Sequence, residues 1–161
     1  MSKAQVKSQF IELQRTLMPH IGITAKLMMI YMKQKFARFN VDLTPKQFIV
    51  LKHLTEEDGR EQNHLALITE RDKTSLTRLI STLEKKGLVR RVVSSKDKRV
   101  NHLFITKTGK KTFESTLPLI TQSIKELQSG IDQEEIDRAI KTIMKVRNNI
   151  KELTSQNPGY K

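Results

Sequence analysis

Apolar residues recur at three- and four-residue intervals along most of the chain, the period of helices with one buried face. Val6, Phe10, Leu13 and Leu17 predict a helix over residues 3–18, which Pro19 and Gly22 interrupt. Leu27, Ile30, Tyr31, Met32, Phe36 and Phe39 form a second stripe, broad enough to imply cover on more than one side. Asn40 and Asp42 end it. Thr44-Pro45-Lys46-Gln47 is a helix start: Thr44 and Gln47 can cap each other's backbone, and Pro45 fits the first position, where an N–H has no helical partner. Phe48, Leu51 and Leu54 face inward from that helix, and Glu57-Asp58-Gly59 closes it. A short helix over residues 63–69 buries Leu65 and Ile68. Asp72 caps the next, over residues 73–86, with Leu76, Leu79, Ile80 and Leu83 inward and Gly87 as its stop.

The period then changes. Residues 88–93 and 100–106 are rich in strand formers and flank a polar, basic tip at 94–99, which predicts a β-hairpin. Helix resumes near residue 107 and runs toward 129, with Phe113, Leu117, Ile120, Ile124 and Leu127 inward and a kink expected at Pro118. Gly130 separates it from a last helix that opens at Asp132 with Glu135 in its third position. There Ala139, Ile143, Val146, Ile150 and Leu153 form a stripe that Ile136 and Ile140 widen, and residues 154–161 read as a loose tail. The expected fold is mainly α with a small β-hairpin wing. A winged helix-turn-helix lobe at 41–111 lies between helical regions at 1–40 and 112–161, both assigned to dimerisation. The stripe 139–153 points the same way, because a terminal helix with a wide apolar face needs a partner.

Composition narrows the chemistry. The 161 residues include no cysteine, so disulfides, thiolate metal sites and thiol redox sensing are excluded. His20, His53, His64 and His102 lack metal-ligand spacing, and no metal or cofactor is expected. The longest apolar run, residues 27–32, is too short for a bilayer. Lys3 and Lys7 are not followed by an apolar stretch, so no leader and a cytoplasmic address are expected. The formal net charge is +13, and its distribution is informative. Residues 71–111 carry thirteen basic and three acidic side chains, whereas residues 112–161 carry seven of each. A polyanion-binding face is therefore focused on one helix and one hairpin. The basic residues flank hydroxyls instead of an apolar stripe, which favours double-stranded DNA over a membrane.

On the helix at 73–86, burial of the leucines leaves Lys73, Thr74, Ser75, Thr77, Arg78, Ser81 and Thr82 toward solvent. Short polar side chains near a helix N-terminus let the backbone approach the major groove, and Arg78 is the long donor suited to a bidentate guanine contact. Lys96, Lys98 and Arg99 on the hairpin tip can reach a narrow minor groove, with Asp97 either a turn residue or a group that orients the arginine. Arg90 and Arg91 are assigned to fold support or phosphate contact. The Met-rich segment with His20, Met28, Tyr31, Met32 and Phe48 is either adaptable core or a pocket for a small aromatic or anionic effector.

Several runs carry a family resemblance: Leu43-Thr44-Pro45-Lys46-Gln47-Phe48, Thr77-Arg78-Leu79-Ile80, Leu83-Glu84-Lys85-Lys86-Gly87-Leu88-Val89, Asp97-Lys98-Arg99 and Ile105-Thr106-Lys107-Thr108-Gly109. From about residue 23 onward the chain resembles the MarR family of bacterial transcription regulators. The resemblance implies a homodimer with interleaved terminal helices and two winged lobes on a pseudo-palindromic operator. It also implies that the helix from Lys73 enters the major groove, that Arg99 enters the minor groove, and that Asp97 orients that arginine. Members commonly respond to small anionic or lipophilic ligands, which makes a ligand-responsive repressor the leading expectation. The longer N-terminus departs from the family minimum, and the cysteine-based peroxide-sensing branch is excluded. The alternative function is a winged-helix architectural or protein-interaction module without operator specificity. An enzyme ranks last, because no nucleophile–base arrangement or phosphate-cradling glycine loop is present.

Overall fold

Side-chain caps set the helix starts in this protein. The computed structural model describes residues 2–69 and 72–156, and every side chain within them except Ala4, Gln9 and Phe10. The chain divides into two compact units, Met1–Leu119 and Ile120–Lys161. In the first, Ser2 and Gln5 cap each other at the start of α1 (Lys3–Gln14). Thr44 and Gln47 do the same for α3 (Pro45–Glu56), and Asp72 accepts from the backbone of Ser75 at 2.7 Å to open α5 (Lys73–Lys85). Asp132 and Glu135 cap α7 (Gln133–Ser155) reciprocally. Helix ends are equally local. Asn40 (φ 52°) and Gly87 (φ 67°) adopt left-handed backbone, and Val41 and Leu88 donate back to the carbonyls of Phe36 and Leu83, each closing a terminal turn.

The helix break near the N-terminus lies earlier than the pattern predicts. α1 stops at Gln14 and α2 (Leu17–Arg38) contains both Pro19 and Gly22. Pro19 sits in the first turn of α2, where its missing N–H has no acceptor to lose, so it does not interrupt the helix. Among the described residues of its own unit, the broad stripe of α2 is covered only in part. Phe36 is buried, but Leu27, Met28, Ile30 and Phe39 are exposed.

Between α3 and α5 lies α4 (Gln62–Ile68), which buries Leu65 and Ala66; Ile68 is only half-buried. The predicted hairpin is present as β2 (Val89–Val93) and β3 (Asn101–Ile105), but it belongs to a three-stranded antiparallel sheet. The third strand, β1 (Arg60–Glu61), pairs with Leu103 and His102. Gly59 (φ 79°) turns the chain into it, donating to the Leu103 carbonyl at 3.0 Å. The core of this unit gathers Phe36, Leu51, Leu54, Leu65, Leu76, Ile80, Leu83 and Leu103, all nearly inaccessible. Phe48 lies between Phe36, edge-on at 6.4 Å, and Phe113, stacked at 4.9 Å.

Phe113 is on α6 (Lys107–Leu127), which runs on through Pro118 across the division between the units. Its buried row is Phe113, Thr116 and Ser123, with Ile120 half-buried; Leu117, Ile124 and Leu127 are exposed. The predicted inward stripe therefore follows only partly. Short hydroxyl side chains take the inner row, and three large apolar ones remain uncovered. No residue of α7 is buried. Because α7 continues to Ser155, residues 154 and 155 are helical where a loose tail is expected; residues 157–161 lie outside the described part.

Candidate nucleic-acid interface

α5 presents its first two turns outward because the leucine row at Leu76, Ile80 and Leu83 is drawn into the core. Lys73, Thr74, Ser75, Arg78 and Thr82 are exposed, as expected. Leu79 is only half-buried. Ser81 is half-buried, and Thr77 also departs from the expected solvent-facing group. It is half-buried, its hydroxyl donates to the Lys73 carbonyl at 2.7 Å, and it accepts from the Gln62 side-chain amide at 3.0 Å. With its only donor used inside the fold, it has just a remaining lone pair to offer a ligand.

The wing tip is folded by two short polar side chains. The Ser94 hydroxyl accepts from Lys96 and Asp97 backbone N–H groups, and the Asp97 carboxylate accepts from the backbone of Arg99 at 2.8 Å. Asp97 thus shapes the turn that carries the arginine. Lys96, Lys98 and Arg99 stand exposed on that tip. The neighbouring cations are engaged in the fold. Arg91 pairs with Glu84 at 3.0 Å, Lys86 reaches both the carbonyl and the carboxylate of Asp42, and the Arg90 guanidinium lies 4.2 Å from the Phe104 ring centre. These three groups have partners in the fold, although Arg90 is itself exposed, whereas Lys73, Arg78, Lys96, Lys98 and Arg99 project from the surface.

A cleft of about 900 Å³ opens beside the same helix. Met29, Ile30, Pro45 and Leu79 supply an apolar lining, while Lys26, Lys33, Lys46 and Arg78 bring four cations to it against the one carboxylate of Asp72, which accepts from the Ser75 backbone. Lys26 and Lys33 are missed by the motif reading, although a seven-residue spacing around Met29 and Ile30 places both on one helical face. Of the residues expected to form a ligand pocket, none lines the cleft against α5. His20 lines a separate hollow with Leu13, Met18, Pro19 and Ile23, and bonds the Gln14 carbonyl at 2.9 Å. Met28 is exposed, Tyr31 and Met32 are half-buried, and Phe48 is core. Their sequence proximity did not carry over, because successive helical residues point in different directions. Among the described residues no cluster of three or more metal-ligating side chains occurs, and no helix is long and apolar enough to cross a membrane.

Comparison with known proteins places this arrangement. The model of the MarR family matches residues 41–100. The HTH-type transcriptional regulator YybA of Bacillus subtilis, uncharacterized, is 30% identical over 111 residues, covering 69% of this chain and 74% of that protein. The transcriptional regulator HosA of Escherichia coli O157:H7 is 27% identical over 107 residues, covering 66% and 79%. Among solved structures, the S. aureus MepR–DNA complex superposes with a TM-score of 0.75 at 25% identity, covering 83% of this chain and 98% of that one.

Proposed function

The chain belongs to the MarR family of transcriptional regulators, and from that premise we propose that it is a homodimeric repressor of a pseudo-palindromic operator, released by a small amphipathic anion. The observation that carries this is the surface of α5 and the wing. Lys73, Thr74, Ser75 and Arg78 are exposed on the helix and Lys96, Lys98 and Arg99 on the tip, while Arg91 and Lys86 nearby are paired. Such a surface fits phosphate contact along two grooves, with Arg78 available to a base edge. That the similar MepR was crystallised as a DNA complex supports DNA as the partner. A dimer bound over a promoter occludes it, hence repression.

Homodimerisation is supported by the uncovered stripe on α7. Ala139, Ile143, Ile150 and Leu153 are exposed in the single chain and Val146 is half-buried. A helix with a wide apolar face and no burial needs a partner.

Fluorescence anisotropy at matched salt tests the DNA reading, comparing a duplex that the protein selects from a random pool with an unselected duplex. The selected duplex is expected to bind at roughly 10⁻⁸ M or tighter, at least about 10³-fold better than the other. Log affinity should fall steeply with log salt. Arg99→Ala should weaken selected binding about tenfold or more, and Arg78→Ala should relax base preference at one position by roughly 1–3 kcal/mol. Equal affinity for the two duplexes would leave only a non-specific winged-helix module.

The effector is assigned to the cleft against α5. Its four cations suit a carboxylate and its apolar lining a small ring. Because Arg78 lines the cleft and also faces the groove, ligand and DNA compete for it. Millimolar benzoate, as a probe, is expected to raise the thermal midpoint and lower DNA affinity. Replacing both Lys26 and Lys33 by Met should remove the thermal shift; an unchanged shift would place the anion elsewhere.

A further inference from the structure

The Gln62–Thr77 hydrogen bond joins the start of α4 to the first half of α5, whereas the Arg91–Glu84 pair ties the wing to the far end of that helix. Gln62 is the first residue of α4 and directly follows β1, whose Glu61 is paired with His102 of the wing sheet. Its amide nitrogen donates to Thr77 Oγ1 at 3.0 Å, and Thr77 in turn donates to the Lys73 carbonyl in the first turn of α5. The direction of the first bond is settled by the second: a hydroxyl whose proton is already given to Lys73 can only accept from Gln62. A continuous path thus runs from the wing strand β3 through β1, Gln62 and Thr77 to the backbone carrying Lys73 and, one residue past Thr77, Arg78.

The other half of the Gln62 amide matters as well. Its Oε1 is buried without a hydrogen-bond partner among the described residues. A side chain present only to fill space between α4 and α5 would do better without that oxygen, since an unsatisfied buried carbonyl is unfavourable. What Gln62 contributes is its donor.

We propose that Gln62 is a positioning residue: by holding Thr77 it fixes the rotation of α5 relative to the wing, and so the register in which Arg78 and Arg99 meet their two grooves. This rests on the DNA-reading surface proposed above. It predicts an effect on discrimination between sequences and not on general affinity for DNA, because non-specific phosphate contact does not require a fixed register.

The experiment measures Gln62→Met, Thr77→Val, their double variant and Thr77→Ser against the duplex selected by the wild-type protein and against an unselected duplex of the same length. Met keeps the length of Gln and removes both the donor and the unpartnered oxygen. The ratio of the two affinities is expected to fall about five- to tenfold for Gln62→Met, with unselected binding and thermal midpoint near wild type. The double variant should lose no more than the worse single one, since both remove the same bond. Thr77→Ser, which keeps the hydroxyl, should lose less than Thr77→Val. A wild-type ratio in Gln62→Met overturns the proposal, as does a loss shared equally by both duplexes, which marks a merely structural role. If Gln62→Met fails to fold, the Ser-against-Val comparison at Thr77 decides alone. Failure of the wild-type protein to discriminate would instead remove the operator reading, and this proposal with it.

Discussion

Ile143→Lys is expected to convert the protein to an 18.7 kDa monomer and to abolish tight operator binding while the winged lobe stays folded. Ile143 lies at the centre of the α7 stripe and is exposed in the single chain. The lobe's core residues lie outside α7, so a charge there does not touch them. In a two-fold interface the substitution appears twice, and each ammonium would have to be desolvated against an apolar face without a counter-ion. Losing the second lobe removes the gain from binding two half-sites at once, on the order of 10²-fold or more in affinity. Sedimentation equilibrium reads the mass, circular dichroism the retained helix, and anisotropy the DNA affinity. A variant that keeps the wild-type mass and affinity would show that α7 is not the pairing surface.

The second large effect is on stability. Gly109→Ala is expected to destabilise the fold by about 3 kcal/mol, roughly 10 °C in thermal midpoint for a chain of this length. Helix propensity alone argues the opposite, since alanine in a helix is better than glycine by about 1 kcal/mol. Packing decides the sign. Thr106 anchors the start of α6 by accepting from Gly109 and donating to the Gly87 carbonyl, which brings the helix down on the start of β2. A Cβ on Gly109 would stand 2.0 Å from the Leu88 carbonyl oxygen and 2.9 Å from Ile105. The nearest atom is backbone, which cannot swing aside, and the half-buried Ile105 closes the other side. Gly22 provides the contrast. It is also helical, but a Cβ there meets nothing within 4 Å, so Gly22→Ala should stabilise by about 0.5–1 kcal/mol. Two scanning-calorimetry traces with opposite shifts would establish the contact; a rise in both would refute it.

The Ile105-Thr106-Lys107-Thr108-Gly109 run shows why some of the protein is legible before folding. The helix start near Lys107 is a local event, and the structure shows its cause: the Thr106 hydroxyl accepts from a backbone N–H three residues on. The reciprocal caps at Thr44 and Asp132, the Gly87 stop and the α5 leucine row are of the same kind. Each involves one turn of helix and needs no knowledge of what lies across the molecule.

What escaped the sequence required contacts between distant segments. β1 is two residues long, too short for a strand period, and exists because Gly59 delivers Arg60 and Glu61 beside Leu103 and His102. The Met-rich segment looked like a pocket because its residues are close in sequence. Phe48 nonetheless belongs to the core beside Phe36 and Phe113, Met28 is exposed, and His20 lines a hollow of its own. The inner row of α6 likewise went to Thr116 and Ser123, because hydrophobicity marks which residues prefer burial but not which of two adjacent rows finds cover.

The sequence alone therefore determined the helix boundaries set by caps, the winged order of elements and the concentration of positive charge in residues 71–111, all consequences of interactions within a turn or of simple residue counts. The tertiary structure alone decided which of those charges are free. Arg91, Lys86 and Arg90 are drawn to Glu84, Asp42 and Phe104, Thr77 is spent on Gln62 and Lys73, and Arg78 and Arg99 are left outward. That selection depends mostly on partners in other elements, such as Asp42 for Lys86 and Phe104 for Arg90, and only the folded chain brings them into contact.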